Sequence, residues 1–219
     1  MRRICIFGAT GRTGKHLVNV VAERGMTPVC LVRKESKEKP VHKSAVLVEG
    51  SPLVYDDVKR ALTDCDAVLV ALNVARKSDW PWAKLVSPPD LLEVSMTNIV
   101  KAMGETGAKR IITVSAWGVG DSYAEANGIF RFLINKTNVG TAYAGHEQQE
   151  KVLKESNLDW TAVRPVGLTN NTKHCPTRVS QNGSTKLKMS ISRMDVAIFM
   201  LDILDNVKYY KTTPSISND

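Results

Sequence analysis

Short runs of consecutive apolar residues alternate along this chain with stretches where apolar residues recur every three or four positions. The runs ICIF (4–7), PVCLVR (28–33), AVLVEG (45–50), DAVLVAL (66–72), RIITVS (110–115) and WTAVRP (160–165) have strand length and strand composition. Between them, 13–24 sets Leu17, Val20 and Val21 on one helical face, with Gly25 placed to end the helix. Further helices are expected over 53–64, over 90–106 (Leu91, Val94, Ile99, Met103) and over 141–156. KLKMSIS (186–192) reads as a late strand. SRMDVAIFMLDIL (192–204) reads as a final helix, opened by Ser192 with Asp195 three residues on.

Strands that are continuous apolar runs must be covered on both faces, which in a strand-helix alternation means a parallel sheet. The expected fold class is α/β, a single Rossmann-type doubly wound parallel sheet with helices on both faces, formed by one domain over 1–219. Two regions break the rhythm. Residues 73–89 hold three prolines and two tryptophans, and residues 166–185 are polar and irregular. Both follow carboxyl ends of strands, where such sheets bind ligands, so they are the expected substrate-side loops.

Composition narrows the picture. The 219 residues are 43% hydrophobic, ample for a core. No apolar run approaches the roughly 18–20 residues of a membrane span. The apolar part of the opening MRRICIFGATG stops after four residues, too short for a signal core, so a cytoplasmic protein off the membrane is expected. The cysteines (Cys5, Cys30, Cys65, Cys175) and histidines (His16, His42, His146, His174) lack metal-ligand spacing, so no metal site is expected. The net charge of +8 suits nucleic acid or a polyanionic small molecule. Its basic residues are dispersed and the aromatic content is 6%, which favours a phosphate-bearing cofactor over a nucleic acid.

That cofactor is suggested by the turn GATGRTG (8–14), set between the first strand and an amphipathic helix. Gly8 permits the tight turn, Gly11 lets backbone approach a pyrophosphate, and Gly14 lets the helix pack closely. The helix amino terminus adds free N–H groups and positive dipole. The second strand ends in Val32-Arg33-Lys34, where an NAD site usually carries a carboxylate. Arg33, with Arg12 in the turn and Lys34 and Lys37 nearby, favours the 2′-phosphate of NADP(H). Glu35 is the competing reading, as a ribose ligand.

GATGRTG, LVRK, TVSA (113–116), HEQQEKVLKESNLDWTAVRP (146–165) and ISRMDVAIFML (191–201) occur in that order across nearly the whole chain. Together they resemble the atypical short-chain dehydrogenases of the NAD(P)-binding, NmrA-like type. Within these the chain is most similar to the NADPH-dependent flavin reductases, which also act as biliverdin-IXβ reductases. The resemblance implies that Gly8, Thr10, Gly11, Arg12, Thr13, Gly14 and Arg33 line the cofactor phosphates and adenosine ribose. It implies that Leu72 and Asn73 pass under the cofactor's middle, and that Ser115 and Ala116 stand near the nicotinamide. Ser51 takes the position of an aspartate beside the adenine, and Gly167 replaces a histidine on the substrate side. The resemblance also implies a monomer.

Typical short-chain dehydrogenases use Tyr-x-x-x-Lys to protonate a carbonyl. Tyr55 and Lys59 match that spacing, but they fall after the third strand instead of the fifth and are read as ordinary helix residues. Tyr143 stands in the right helix, with Glu147 where the lysine belongs. A chain without that pair suits hydride transfer to a flavin or a tetrapyrrole, where solvent can supply the proton. Ser115 is then a hydrogen-bonding residue, and His146, with an ordinary pKa near neutrality, orients substrate or relays a proton. Trp80, Trp82 and Trp117 are either an aromatic wall for a flat substrate or cover for the sheet edge. The expected activity is an NADPH-dependent reductase acting on a small planar substrate, a flavin or tetrapyrrole. The competing reading is an NADP(H)-sensing regulator without robust catalysis.

Overall fold

The computed structural model describes residues 1–36 and 42–219. Lys37, an expected phosphate neighbour, lies outside the described residues. The strands are β1 Arg3–Phe7, β2 Thr27–Val32, β3 Val46–Glu49, β4 Ala67–Val70, β5 Arg110–Val114, β6 Asp159–Pro165, β7 Gly167–Thr169, β8 Thr177–Ser180, β9 Ser190–Ser192 and β10 Ser215–Asn218. The helices are α1 Gly14–Glu23, α2 Tyr55–Leu62, α3 Leu91–Thr106, α4 Gly128–Lys136, α5 Val139–Lys154 and α6 Arg193–Asp202.

Eight strands form one sheet in the order β3-β2-β1-β4-β5-β6-β10-β8. All its pairings are parallel except that of β10 with β8. Strand order reverses at β1, which pairs with β2 on one side and β4 on the other, and this opens a crevice at their carboxyl ends. A separate parallel pair, β7 and β9, stands beside it.

Alternation within β1 explains why the strand is apolar throughout. Ile4 and Ile6 pack with Leu17 and Val21 of α1 and with Val196 and Met200 of α6. Cys5 and Phe7 point the other way, into Val58 and Leu62 of α2 and Met96 and Ile99 of α3. Each face of the sheet therefore has its own helical layer, and the expected doubly wound α/β fold is the one observed. Ser192 caps α6 as expected: its Oγ accepts from the Asp195 N–H at 2.9 Å.

Four elements differ from expectation. The late strand shrinks from 186–192 to the three residues of β9. β8 and β10 were not legible because they are serine- and threonine-rich; the buried Ser217 hydroxyl accepts from Lys188 N–H at 3.2 Å and donates to the Asn218 carbonyl at 3.1 Å. α4 carries no fully buried residue, leaves Ile129 and Phe132 exposed, and meets the core only through half-buried side chains such as Phe130.

Arg110, the first residue of β5, ties the amino edge of this sheet together. Its buried guanidinium donates to the carbonyls of Leu204 (2.8 Å), Ile203 (3.0 Å) and Asp159 (2.8 Å) and to Thr161 Oγ1 (2.8 Å). Two of those carbonyls end α6, so the cation also faces the negative end of that helix. Replacing Arg110 by Met removes the donors and strands the acceptors. We expect denaturant titration of Arg110→Met to show a loss of about 3 kcal/mol, with nucleotide affinity at the opposite, carboxyl edge unchanged.

Candidate active-site cleft

The turn at residues 8–14 is fixed by contacts that exclude a Cβ. Gly8 has φ +86°, and a Cβ there would come 2.5 Å from the Ala71 carbonyl oxygen, at the end of the adjacent β4. A Cβ on Gly14 would overlap the Gly8 carbonyl, so α1 can start only where it does if residue 14 is glycine. At Gly11 a Cβ would have one close protein neighbour, the Gly8 oxygen at 3.1 Å, and its amide closes the turn by donating to that oxygen. No side chain caps the amino end of α1 and no carboxylate stands in its first turn. Its leading edge is thus open to an anion, and the turn fits a dinucleotide's phosphates.

A cleft of about 960 Å³ runs from this turn along the carboxyl ends of β4, β5 and β6. Nine of the expected site residues line it: Thr10, Gly11, Arg12 and Thr13 from the turn, Leu72 and Asn73 beyond β4, Ser115 and Ala116 beyond β5, and His146 from α5. Gly8 and Gly14 stand behind the lining and shape it. Arg33 and Ser51 do not line the cleft. Arg33 is exposed just past β2, and Ser51, just past β3, shapes the start of α2, its N–H donating to Asp57 Oδ2 at 2.9 Å. The two segments are adjacent, since Gly50 N–H donates to the Val32 carbonyl at 2.9 Å. Arg12 is forked onto Asp79 of the 73–89 loop, at 3.0 and 3.1 Å. This holds the Asp79 carboxyl below its ordinary range.

At the other end, Ser115 is held from behind. Its hydroxyl donates to Glu150 Oε1 at 2.6 Å. Glu150, buried on α5, receives two bonds from the buried Arg164 of β6, at 2.9 and 2.7 Å. Arg164 also reaches Asp121 at 2.6 Å. Oε1 accepts from both Ser115 and Arg164, so the Ser115 hydrogen is committed to it and the free lone pairs of Oγ are acceptors.

His146 is fixed the opposite way. Gln149 Nε2 donates to the Val114 carbonyl at 2.9 Å and lies 3.1 Å from His146 Nδ1. An amide nitrogen only donates, so Nδ1 accepts and the ring hydrogen sits on Nε2. Burial pushes the imidazole pKa down to about 4, with the Glu150 charge opposing weakly. This corrects the expectation of a group titrating near neutrality: complete burial disfavours the cation, and His146 at pH 7 is a neutral donor, not a relay.

The three tryptophans, left open between an aromatic wall and cover for the sheet edge, separate. Trp80 and Trp82 pack on each other with ring centroids 5.4 Å apart, but both are exposed and neither lines the cleft. Trp117 does, with Phe130 5.2 Å away and Tyr143 beyond it. Burial raises the Tyr143 hydroxyl pKa to about 12. Tyr55 and Lys59 are both bound to Glu105 on the outer surface of α2 and α3, far in the fold from this cleft. Phe130, Tyr143, Glu150, Gln149 and Arg193 were not singled out as site residues by the sequence. Only Tyr143 carried a signal, its place on the helix after the fifth strand.

Among the described residues no group of three metal-ligating side chains gathers, and no helix is long and apolar enough to cross a membrane.

Comparison with known proteins matches residues 8–207 to the family described as NAD(P)H-binding. An uncharacterised chloroplast protein of Arabidopsis thaliana is 27% identical over 180 residues, 78% of this chain; the chain spans only 60% of that relative. A protein of Bacillus subtilis named as an uncharacterised sugar epimerase, YhfK, is 26% identical, covering 93% of this chain and 88% of its own. Among solved structures, a short-chain dehydrogenase/reductase of Veillonella parvula in complex with NADP superposes with TM-score 0.79 at 22% identity, over 99% of this chain and 94% of that one. ChuY of Escherichia coli O157:H7, named as an anaerobilin reductase, gives 0.78 at 18% identity, over 99% and 97%. The chain belongs to the NAD(P)H-binding family, and these solved structures share its fold.

Proposed function

We propose that this chain is an NADPH-dependent reductase that delivers hydride to a small planar acceptor, a flavin such as FMN or riboflavin, a biliverdin-like tetrapyrrole, or a quinone. One observation carries the reading: no ionisable side chain lining the cleft has a pKa near neutrality, where it would readily give a proton to a substrate. Tyr143 is raised to about 12 with no lysine beside it, His146 is lowered to about 4, and Asp79 is ionised against Arg12. The remaining charged groups of the lining are arginines. A simple ketone needs an acid at its oxygen; a flavin or tetrapyrrole delocalises the incoming charge and takes its proton from water.

When bound, the dinucleotide supplies the hydride. The chain's own residues bind and orient. Thr10, Gly11, Thr13 and the open end of α1 take the phosphates, with Gly8 and Gly14 holding the turn. Leu72, Asn73 and Ala116 floor the cleft. Arg33 reaches the 2′-phosphate from beyond β2, with Ser51 beside the adenine. The Arg12–Asp79 pair is exposed and worth no more than about 1 kcal/mol, so Arg12 exchanges Asp79 for a phosphate at little cost. Ser115 Oγ offers an acceptor and His146 Nε2–H a donor, a polarity that suits a carboxamide, a flavin edge or a lactam. Trp117, Phe130 and Tyr143 supply the wall for a flat ring. The name of one structural neighbour, an anaerobilin reductase, supports reduction of a flat acceptor.

An NADPH-oxidation screen across FMN, riboflavin, biliverdins and quinones should give turnover with at least one. Tight NADPH binding with no turnover on any of them would favour the cofactor-sensing reading instead. Arg33→Ala should lower the preference for NADPH over NADH about tenfold or more, the worth of a charge-assisted hydrogen bond; an unchanged ratio would place the 2′-phosphate elsewhere.

The buried histidine sets a pH dependence of stability. Its folded pKa of about 4 lies below the ordinary 6.5, so between these values the unfolded chain holds a proton that the native chain excludes. Stability from this group should therefore fall as pH drops from 6.5 to about 4, by about 3 kcal/mol in all. Denaturation of His146→Asn, whose Oδ1 replaces Nδ1 as acceptor, should lack that segment. Turnover of the wild type should show no inflection near 6.5.

A further inference from the structure

Arg193 is the first residue of α6, is 8% exposed, and lines the cleft. Its Nη1 donates to the Leu168 carbonyl at 3.3 Å and to Asn170 Oδ1 at 2.7 Å. Both partners are neutral. Nε and Nη2 make no hydrogen bond among the described residues, and no carboxylate lies within ion-pair distance. Neither nitrogen is sealed from the cleft, so both are presented there as donors without a protein acceptor.

The surroundings add positive charge. Arg12, Arg76 and Arg193 line the cleft against one carboxylate, Asp79, which already receives both bonds from Arg12. Burial and then Arg12 lower the Arg193 pKa, with Asp79 opposing. Burial lowers His16 on the first turns of α1, and the charge of Arg193 lowers it further. The cation stands between α1 and the segment after β6, near the glycine turn.

We infer that Arg193 is an oxyanion-binding residue of the cleft, its unpaired Nε and Nη2 taking a phosphate or carboxylate oxygen of the ligand, with Asn170 holding the guanidinium in place. Two sources fit this chemistry: the diphosphate bridge of the cofactor and an anionic tail on the acceptor. The inference rests on the reading of the cleft as a dinucleotide site, but its test reads binding and not turnover.

Wild type, Arg193→Met, Arg193→Lys and Asn170→Ala are compared, with circular dichroism establishing that each is folded. Inorganic diphosphate should raise the melting temperature of the wild type and fail to raise that of Arg193→Met; Arg193→Lys should keep part of the shift and Asn170→Ala most of it. If the cofactor supplies the anion, Arg193→Met weakens NADPH and NADH alike by about tenfold or more, and FMN and riboflavin bind as to wild type. If the acceptor supplies it, FMN weakens by a similar factor, while uncharged riboflavin and NADPH do not. Wild-type affinity of Arg193→Met for diphosphate, NADPH and FMN together would overturn the inference, as would absence of a diphosphate shift in the wild type. Should the wild type bind NADPH and reduce nothing, the reductase reading falls and the Arg193 assignment is still decided by these affinities. Should Arg193→Met be unfolded, Arg193→Lys decides: an undiminished diphosphate shift with wild-type NADPH and FMN affinities in that folded variant overturns the forked contact.

Discussion

The ion pair between Glu150 and Arg164 organises the end of the cleft that holds Ser115 and His146. Both side chains are buried, joined by two hydrogen bonds, and contributed by different elements, α5 and β6. Taking two charges out of water is favourable only if nearly every polar atom finds a partner. Ser115 at the end of β5 and Asp121 beyond it complete the set. The pair therefore fixes α5 against the sheet, and with it His146 and Gln149, one turn or less away on the same helix. It also sets the direction of the serine's proton. Removing either member would strand a charge in the interior, a cost of about 3–5 kcal/mol.

Much of the fold was legible because each central strand is buried on both faces, so strands read as plain apolar runs and helices as one-sided stripes. The glycine turn was legible for a stronger reason. Gly8 and Gly14 are required by backbone clashes with Ala71 and with Gly8 itself, so the spacing is a signature of the local geometry. Elements outside that logic were invisible. β10 lies inside the sheet yet is built from serines and one isoleucine, since side-chain hydrogen bonds replace apolar burial there. α4 has no fully buried residue to leave a pattern.

The site was half legible. Residues next to the turn or at strand ends could be placed from position alone, and nine of them share the cleft. Their chemical states could not. The pKa of His146 depends on burial by elements far along the chain, and the acceptor character of Ser115 depends on a glutamate 35 residues away. Arg193 gave no signal because a lone arginine opening a helix is unremarkable until it is seen to lack a counter-ion.

These states set what the proposed hydride acceptor would meet in place of a Tyr-Lys pair. Here Tyr143 is half-buried and edge-on to Phe130, and burial holds His146 neutral while the Gln149 amide leaves it one tautomer. Both are donors locked in uncharged form. An uncharged donor and an oriented acceptor are what a neutral heterocycle with an N–H and a carbonyl on one edge would meet. A site of this kind does not discriminate by protonating its substrate. It discriminates by shape and hydrogen-bond polarity, which leaves reducibility to the acceptor itself.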